Sequence, residues 1–124
     1  MKVILSIKPH FAEKIFEGTK KFEFRRSIFK NPNVKRVIVY ASAPVSKIVG
    51  EFEIDEILHY EIDYLWCATK SDSGITEDYY FSYFEGKSYG FALKIKKAKL
   101  YKKFYSIKDR YGLLPPQSFA YVRE

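Results

Sequence analysis

Polar and apolar positions change period several times along the chain, and each change marks an element. Val3, Leu5 and Ile7 alternate with Lys2, Ile4 and Ser6, the spacing of a strand. Pro9 suits the first turn of a helix. Phe11, Ala12, Ile15 and Phe16 then fall at helical spacing, with Glu13, Lys14 and Glu17 on the other side and Gly18 as the C-terminal cap. Alternation resumes over Lys21 to Arg26, where Phe22 and Phe24 face one way and Lys21, Glu23 and Arg25 the other. After the turn Asn31-Pro32-Asn33, Lys35 to Ser42 is a β-branched strand that Pro44 ends. Ser46 to Leu58 is a long strand in which Gly50 permits a bend.

Ile62 to Cys67 predicts a short helix. A second follows, capped by Ser73 or Thr76, with Glu77 and Asp78 at its positive end; it carries Tyr80, Phe81 and Phe84 and stops at Gly86. Ser88 to Tyr105 is another long strand, and its apolar parity slips near Lys96-Lys97, as a bulge would make it do. The segment Leu113 to Phe119 is a loop before a short last strand, Ala120 to Arg123. No repeat, linker or low-complexity tract interrupts the order. The expectation is one α+β domain over 1–124, a small, mostly antiparallel β-barrel or strongly bent sheet with flanking helices.

Composition narrows the classes. The longest apolar runs are too short to cross a bilayer, and the N-terminal apolar stretch is broken too early for a secretory signal. Cys67 is the only cysteine, which excludes an internal disulfide and makes a cytoplasmic setting the expectation; beside Trp66 it reads as a packed small hydrophobe. Lys and Arg outnumber Asp and Glu by 22 to 15, and eleven Tyr and eleven Phe accompany them. Positive charge with many flat side chains suits RNA or a nucleotide, although aromatics also fill the core of a small β-rich domain. Seven basic residues lie between Lys20 and Arg36 and six lysines between Lys94 and Lys103, whereas Glu51 to Asp63 holds six acids and no cation. If the fold joined the basic segments and left the acidic one elsewhere, it would create a directional phosphate-binding face.

The signatures of common cofactors, phosphate loops and zinc sites are absent, so no cofactor or metal is expected. His10 and His59 stand far apart and read as surface residues. More informative is Gly18-Thr19-Lys20-Lys21-Phe22-Glu23-Phe24-Arg25. Alternation puts Glu23 and Arg25 on one face, and Lys20 joins them if it lies in the turn before the strand. Such a group can bind a base amine through the carboxylate and phosphate through the cations. It can also lower the lysine pKa until the amine works as a base. The same spacing also describes an exposed cross-strand ion pair of little consequence.

The pattern Gly18-x-Lys20-x-x-Glu23-x-Arg25, following Leu5 to Ile15, resembles the ASCH domain of the PUA-like superfamily. Tyr89 to Ile95 and Pro115 to Phe119 resemble its small stand-alone members. The resemblance implies a PUA-like barrel with a cleft lined by the motif, binding RNA, a nucleotide or a nucleoside. One ASCH-like group hydrolyses N4-acetylcytidine with a Thr, a Lys and a Glu, and ribonuclease activity is attributed to others. Carried over, Lys20 matches that group's lysine and would be the base. Glu23 stands at the nucleophilic threonine, Thr19 lies on the wrong side of Lys20, and Asp72 is the nearest candidate for the acid. Lys20 and Glu23 are thus the catalytic candidates if the protein is an enzyme. Ser6, Lys8, Arg25, Tyr40, Ser42, Gln117 and Ser118 join them as ligand-binding candidates.

Overall fold

The computed structural model describes Met1 to Arg123. Its elements are β1 (Lys2–Ile7), α1 (Pro9–Glu17), β2 (Phe22–Arg25), β3 (Arg36–Ala41), β4 (Lys47–Glu61), α2 (Ile62–Thr69), α3 (Glu77–Tyr83), β5 (Tyr89–Tyr105), α4 (Ile107–Tyr111) and β6 (Phe119–Val122), with one 3-10 turn at Lys70–Asp72. Thr76, not Ser73, caps α3, its hydroxyl accepting from the Tyr79 N–H. The short α4 lies in a stretch the periodicity left unassigned. Its signal is local: Ser106 caps it by accepting from the Asp109 N–H.

The strands form one six-stranded sheet in the order β2-β5-β4-β3-β1-β6, antiparallel except for the parallel pair β1 and β3. No ladder joins the edge strands β2 and β6 among the described residues, so of the expected barrel or strongly bent sheet the pairing gives an open sheet and no closed barrel. The strand β2 is four residues long, and it meets β1 through a side chain: Arg25 Nη2 donates to the Ser6 carbonyl at 2.9 Å. Among the described residues, no helix is long and apolar enough to cross a membrane.

Burial follows the alternation. Val3, Leu5 and Ile7 join Val37, Val39, Phe52 and Leu93 in the main core, closed by Ala12 and Ile15 of α1. Phe22 and Phe24 join a second cluster with Leu65 and Trp66 of α2, Tyr80 of α3 and Phe84 at the end of that helix. On the other face of β1 and β3, Ile4, Ile38 and Tyr40 pack with Ile107 of α4. The expected helix face over Tyr80, Phe81 and Phe84 is only partly inward, since Phe81 stays exposed. Cys67 is exposed too. The buried face of α2 is Ile62, Leu65, Trp66 and Thr69, which leaves Cys67 on the outer side.

Both expected irregularities occur. The β4–β5 register shifts between Ile48 and Gly50, and again opposite Lys97, whose φ is +51°. A Cβ at Gly50 would lie 2.5 Å from the Lys99 carbonyl oxygen and 2.6 Å from Cζ of Phe16. Backbone cannot yield cheaply there. Gly50→Ala is therefore expected to cost about 1–3 kcal/mol of stability, read as a lower urea midpoint with an unchanged circular dichroism spectrum.

The charge segments assemble differently from the expectation. The acidic strand β4 runs between β3 and β5, so it pairs with the basic residues on both sides. Arg36 bonds Glu51 at 2.9 Å and Glu53 at 3.0 Å, Lys94 and Lys96 flank Asp55, and Lys97 reaches Glu53. Three of the six lysines of the second basic run, Lys94, Lys96 and Lys97, are thereby paired with acids.

Candidate functional site

The end of α1 aims Lys20 inward. Gly18 adopts φ +89°, and the N–H groups of Gly18, Thr19 and Lys20 all donate to the Lys14 carbonyl. The chain turns within three residues, and the Lys20 side chain drops between the Phe11 and Phe24 rings, its Nζ 5.2 and 4.9 Å from their centroids. Only 2% of Lys20 is exposed, and Nζ donates to the Ser73 carbonyl at 3.1 Å. Gly74 makes room: a Cβ there would lie 2.5 Å from Cβ of Lys20. Burial disfavours the ammonium and lowers its pKa from 10.5 to about 8; Glu23 opposes the shift and Lys14 adds to it.

Glu23 and Arg25 do share a face of β2, and both are buried. Arg25 Nε lies 3.3 Å from Oε2 of Glu23. That contact lacks hydrogen-bond alignment, so the buried Nε–H is left without an acceptor among the described residues. An exposed ion pair is thus replaced by two buried cations around one carboxylate, a site with surplus positive charge.

These groups line a cleft of about 170 Å³ between β1, β2, α1 and α3, together with Ser6, Lys8, Phe11, Ile75, Tyr79 and Tyr83. The two tyrosines are the residues that sequence reasoning missed. They stand one turn apart on α3, a pairing hidden by the stronger core signal of Tyr80 and Phe84. The Tyr83 hydroxyl donates to the Phe24 carbonyl at 3.2 Å, and burial raises its pKa, keeping it a donor at neutral pH.

The remaining candidates gather in a neighbouring groove of about 520 Å³. It shares Ser6 and Lys8 with the cleft and adds Tyr40, Ser42, Ser46 and Gln117. Ser6 Oγ donates to the Pro116 carbonyl, which ties the Pro-rich loop to the end of β1. Ser118 lines neither space; its carbonyl accepts from the Ser6 N–H and extends the β1–β6 ladder. Asp72 is exposed and does not line the cleft, although its carbonyl accepts from the Lys21 N–H. Thr19 is exposed as well, its hydroxyl turned to the Lys14 carbonyl. His10 and His59 lie on the surface, outside both spaces.

The chain matches the model of the ASCH domain family over residues 5–105. It is 29% identical over 126 residues to an "ASCH domain-containing ribonuclease" of Zymomonas mobilis, an alignment covering 99% of this chain and 85% of that protein. It is also 28% identical to the large ribosomal subunit protein uL22 of Ureaplasma parvum, of which it spans only 39%. The crystal structure of the Zymomonas mobilis ASCH protein superposes with a TM-score of 0.90 at 28% identity, covering 99% of this chain and 88% of that one. The N-terminal domain of Staphylothermus marinus McrB, at 13% identity and a TM-score of 0.51, shares the fold.

Proposed function

Since the chain belongs to the ASCH domain family, we propose that its cleft binds RNA and cleaves it there, with Lys20 as the base. The observation that carries the reading is the buried Lys20, held with a lowered pKa beside the Glu23–Arg25 pair in a cleft of net positive charge. The Zymomonas mobilis relative named a ribonuclease supports it.

In this reading Arg25 and Lys8 hold the non-bridging phosphate oxygens, as guanidinium and ammonium groups do. Glu23 orients Arg25 and limits the repulsion between the two buried cations. Neutral Lys20 takes the proton of the ribose 2′-hydroxyl as its oxygen bonds to phosphorus. The bond from phosphorus to the 5′-oxygen breaks, and that oxygen takes a proton from water. The products are a 2′,3′-cyclic phosphate and a 5′-hydroxyl end.

The amide-hydrolysis alternative on N4-acylated cytidine has less support. Glu23 stands where that group has its threonine nucleophile, and Asp72 is absent from the cleft lining. The test is product analysis by mass spectrometry on a short mixed-sequence RNA and on the same oligomer with deoxyribose at every position. Cleavage of the RNA alone, with cyclic phosphate ends, is expected. Equal cleavage of both would exclude 2′-hydroxyl attack. Release of acetate from N4-acetylcytidine without RNA cleavage would favour the amide reading.

A further inference from the structure

The cleft does not end at its mouth. A groove of about 350 Å³ lined by Lys8, Arg26, Tyr79, Ser82 and Tyr83 shares Lys8, Tyr79 and Tyr83 with it. We propose that this groove is a second nucleotide subsite, which receives the nucleotide adjoining the one in the cleft. The proposal rests on the reading that the cleft holds an RNA nucleotide.

Three observations carry it. The Tyr79 and Tyr83 rings are nearly parallel, within 9°, with centroids 6.4 Å apart, so α3 offers two similarly oriented aromatic faces along the groove. Each ring has its own cation: Lys8 Nζ lies 5.4 Å from the Tyr79 centroid, and Arg26 Cζ lies 4.4 Å from that of Tyr83. Neither cation is paired with a carboxylate among the described residues, whereas Arg36, Lys94, Lys96 and Lys97 are all matched by acids of β4. Unpaired cations beside flat faces are what a sugar–phosphate backbone with stacking bases requires. Arg26 is fixed for the task, since its Nε donates to the Tyr83 carbonyl at 2.7 Å while the residue stays exposed.

The test compares a nucleoside monophosphate with a five-nucleotide single-stranded RNA carrying 2′-O-methyl groups, which the proposed cleavage cannot attack, titrated by calorimetry across a salt series with wild type, Arg26→Gln and Arg26→Lys. Wild type is expected to bind the pentamer at least tenfold more tightly. Arg26→Gln should remove most of that gain and flatten the dependence of log K on log salt by about 0.7. Monophosphate binding should hold, and Arg26→Lys should restore the slope. Equal weakening of both ligands by Arg26→Gln would make Arg26 only a structural support of α3 and overturn the subsite. Monophosphate binding with no gain for the pentamer overturns the subsite and leaves the cleft reading standing. Binding of neither ligand to wild type overturns both.

Discussion

RNA cleavage at low substrate concentration is expected to rise about tenfold per pH unit up to pH 8 and to level off above it, once spontaneous hydrolysis is subtracted. A base works only in its neutral form, and below its pKa that fraction falls tenfold per unit. Burial between Phe11 and Phe24 puts the Lys20 pKa at about 8. At pH 7 roughly a tenth of the protein would thus be competent, against well under one part in a thousand for an ordinary lysine. Lys20→Arg keeps the charge but cannot deprotonate in this range. It should lower kcat/KM by about two to four orders of magnitude, with RNA binding at pH 7 retained. The opposite pattern is equally readable. If Lys20 acts only as a phosphate clamp, affinity falls above pH 8, the cleavage rate falls with it, and arginine is an adequate substitute.

That distinction was out of reach of the sequence, for a definite physical reason. Alternation placed Glu23 and Arg25 together on β2, and the pattern around Gly18 brought Lys20 to the same neighbourhood; both are local properties of the chain. What turns the trio into a buried cluster comes from far along the chain: the Ser73 carbonyl, the empty space at Gly74, and the aromatic wall of Tyr79 and Tyr83. No periodicity encodes which loop packs against a lysine. The bends at Gly50 and Lys97 were legible because a change in side-chain parity or a glycine in a strand leaves a mark within a few residues. Sheet closure left none. Whether β2 pairs with β1 or meets it through Arg25 depends on strand length and on what fills the gap. The same holds for the acidic run. Its composition is plain, but its position between the two basic strands is a matter of sheet order, and that order cancels charge that would otherwise have pointed to a different face.

Lys20→Met is expected to make the protein more stable while removing cleavage. The unfolded chain keeps the lysine proton up to pH 10.5, whereas the folded protein releases it at about 8. Between those values the unfolded state binds more protons at this lysine, so Lys20 makes stability rise with pH across that window. Tyr80, Tyr83 and Tyr101, whose pKa values burial raises, act in the opposite sense as tyrosines of the unfolded chain ionise. At pH 7, where both states are mostly protonated, holding the charged lysine in the core costs about 3 kcal/mol. Methionine fills a similar volume without the charge. The Ser73 carbonyl loses its donor, which returns about 1 kcal/mol of that gain. A net stabilisation of about 1–2 kcal/mol follows, on the order of 5 °C in the thermal midpoint for a domain of this size. The more diagnostic readout is the difference between the two proteins, to which the three tyrosines contribute equally: the stability gained by Lys20→Met should shrink as pH rises from 8 to 10.5. A variant destabilised at pH 7, or a difference between the two proteins that stays constant across that window, would mean that Lys20 sits in its cleft as an ordinary solvated cation. Its role as a base would fall with that result, because the burial that costs stability is the same burial that frees the amine to take a proton.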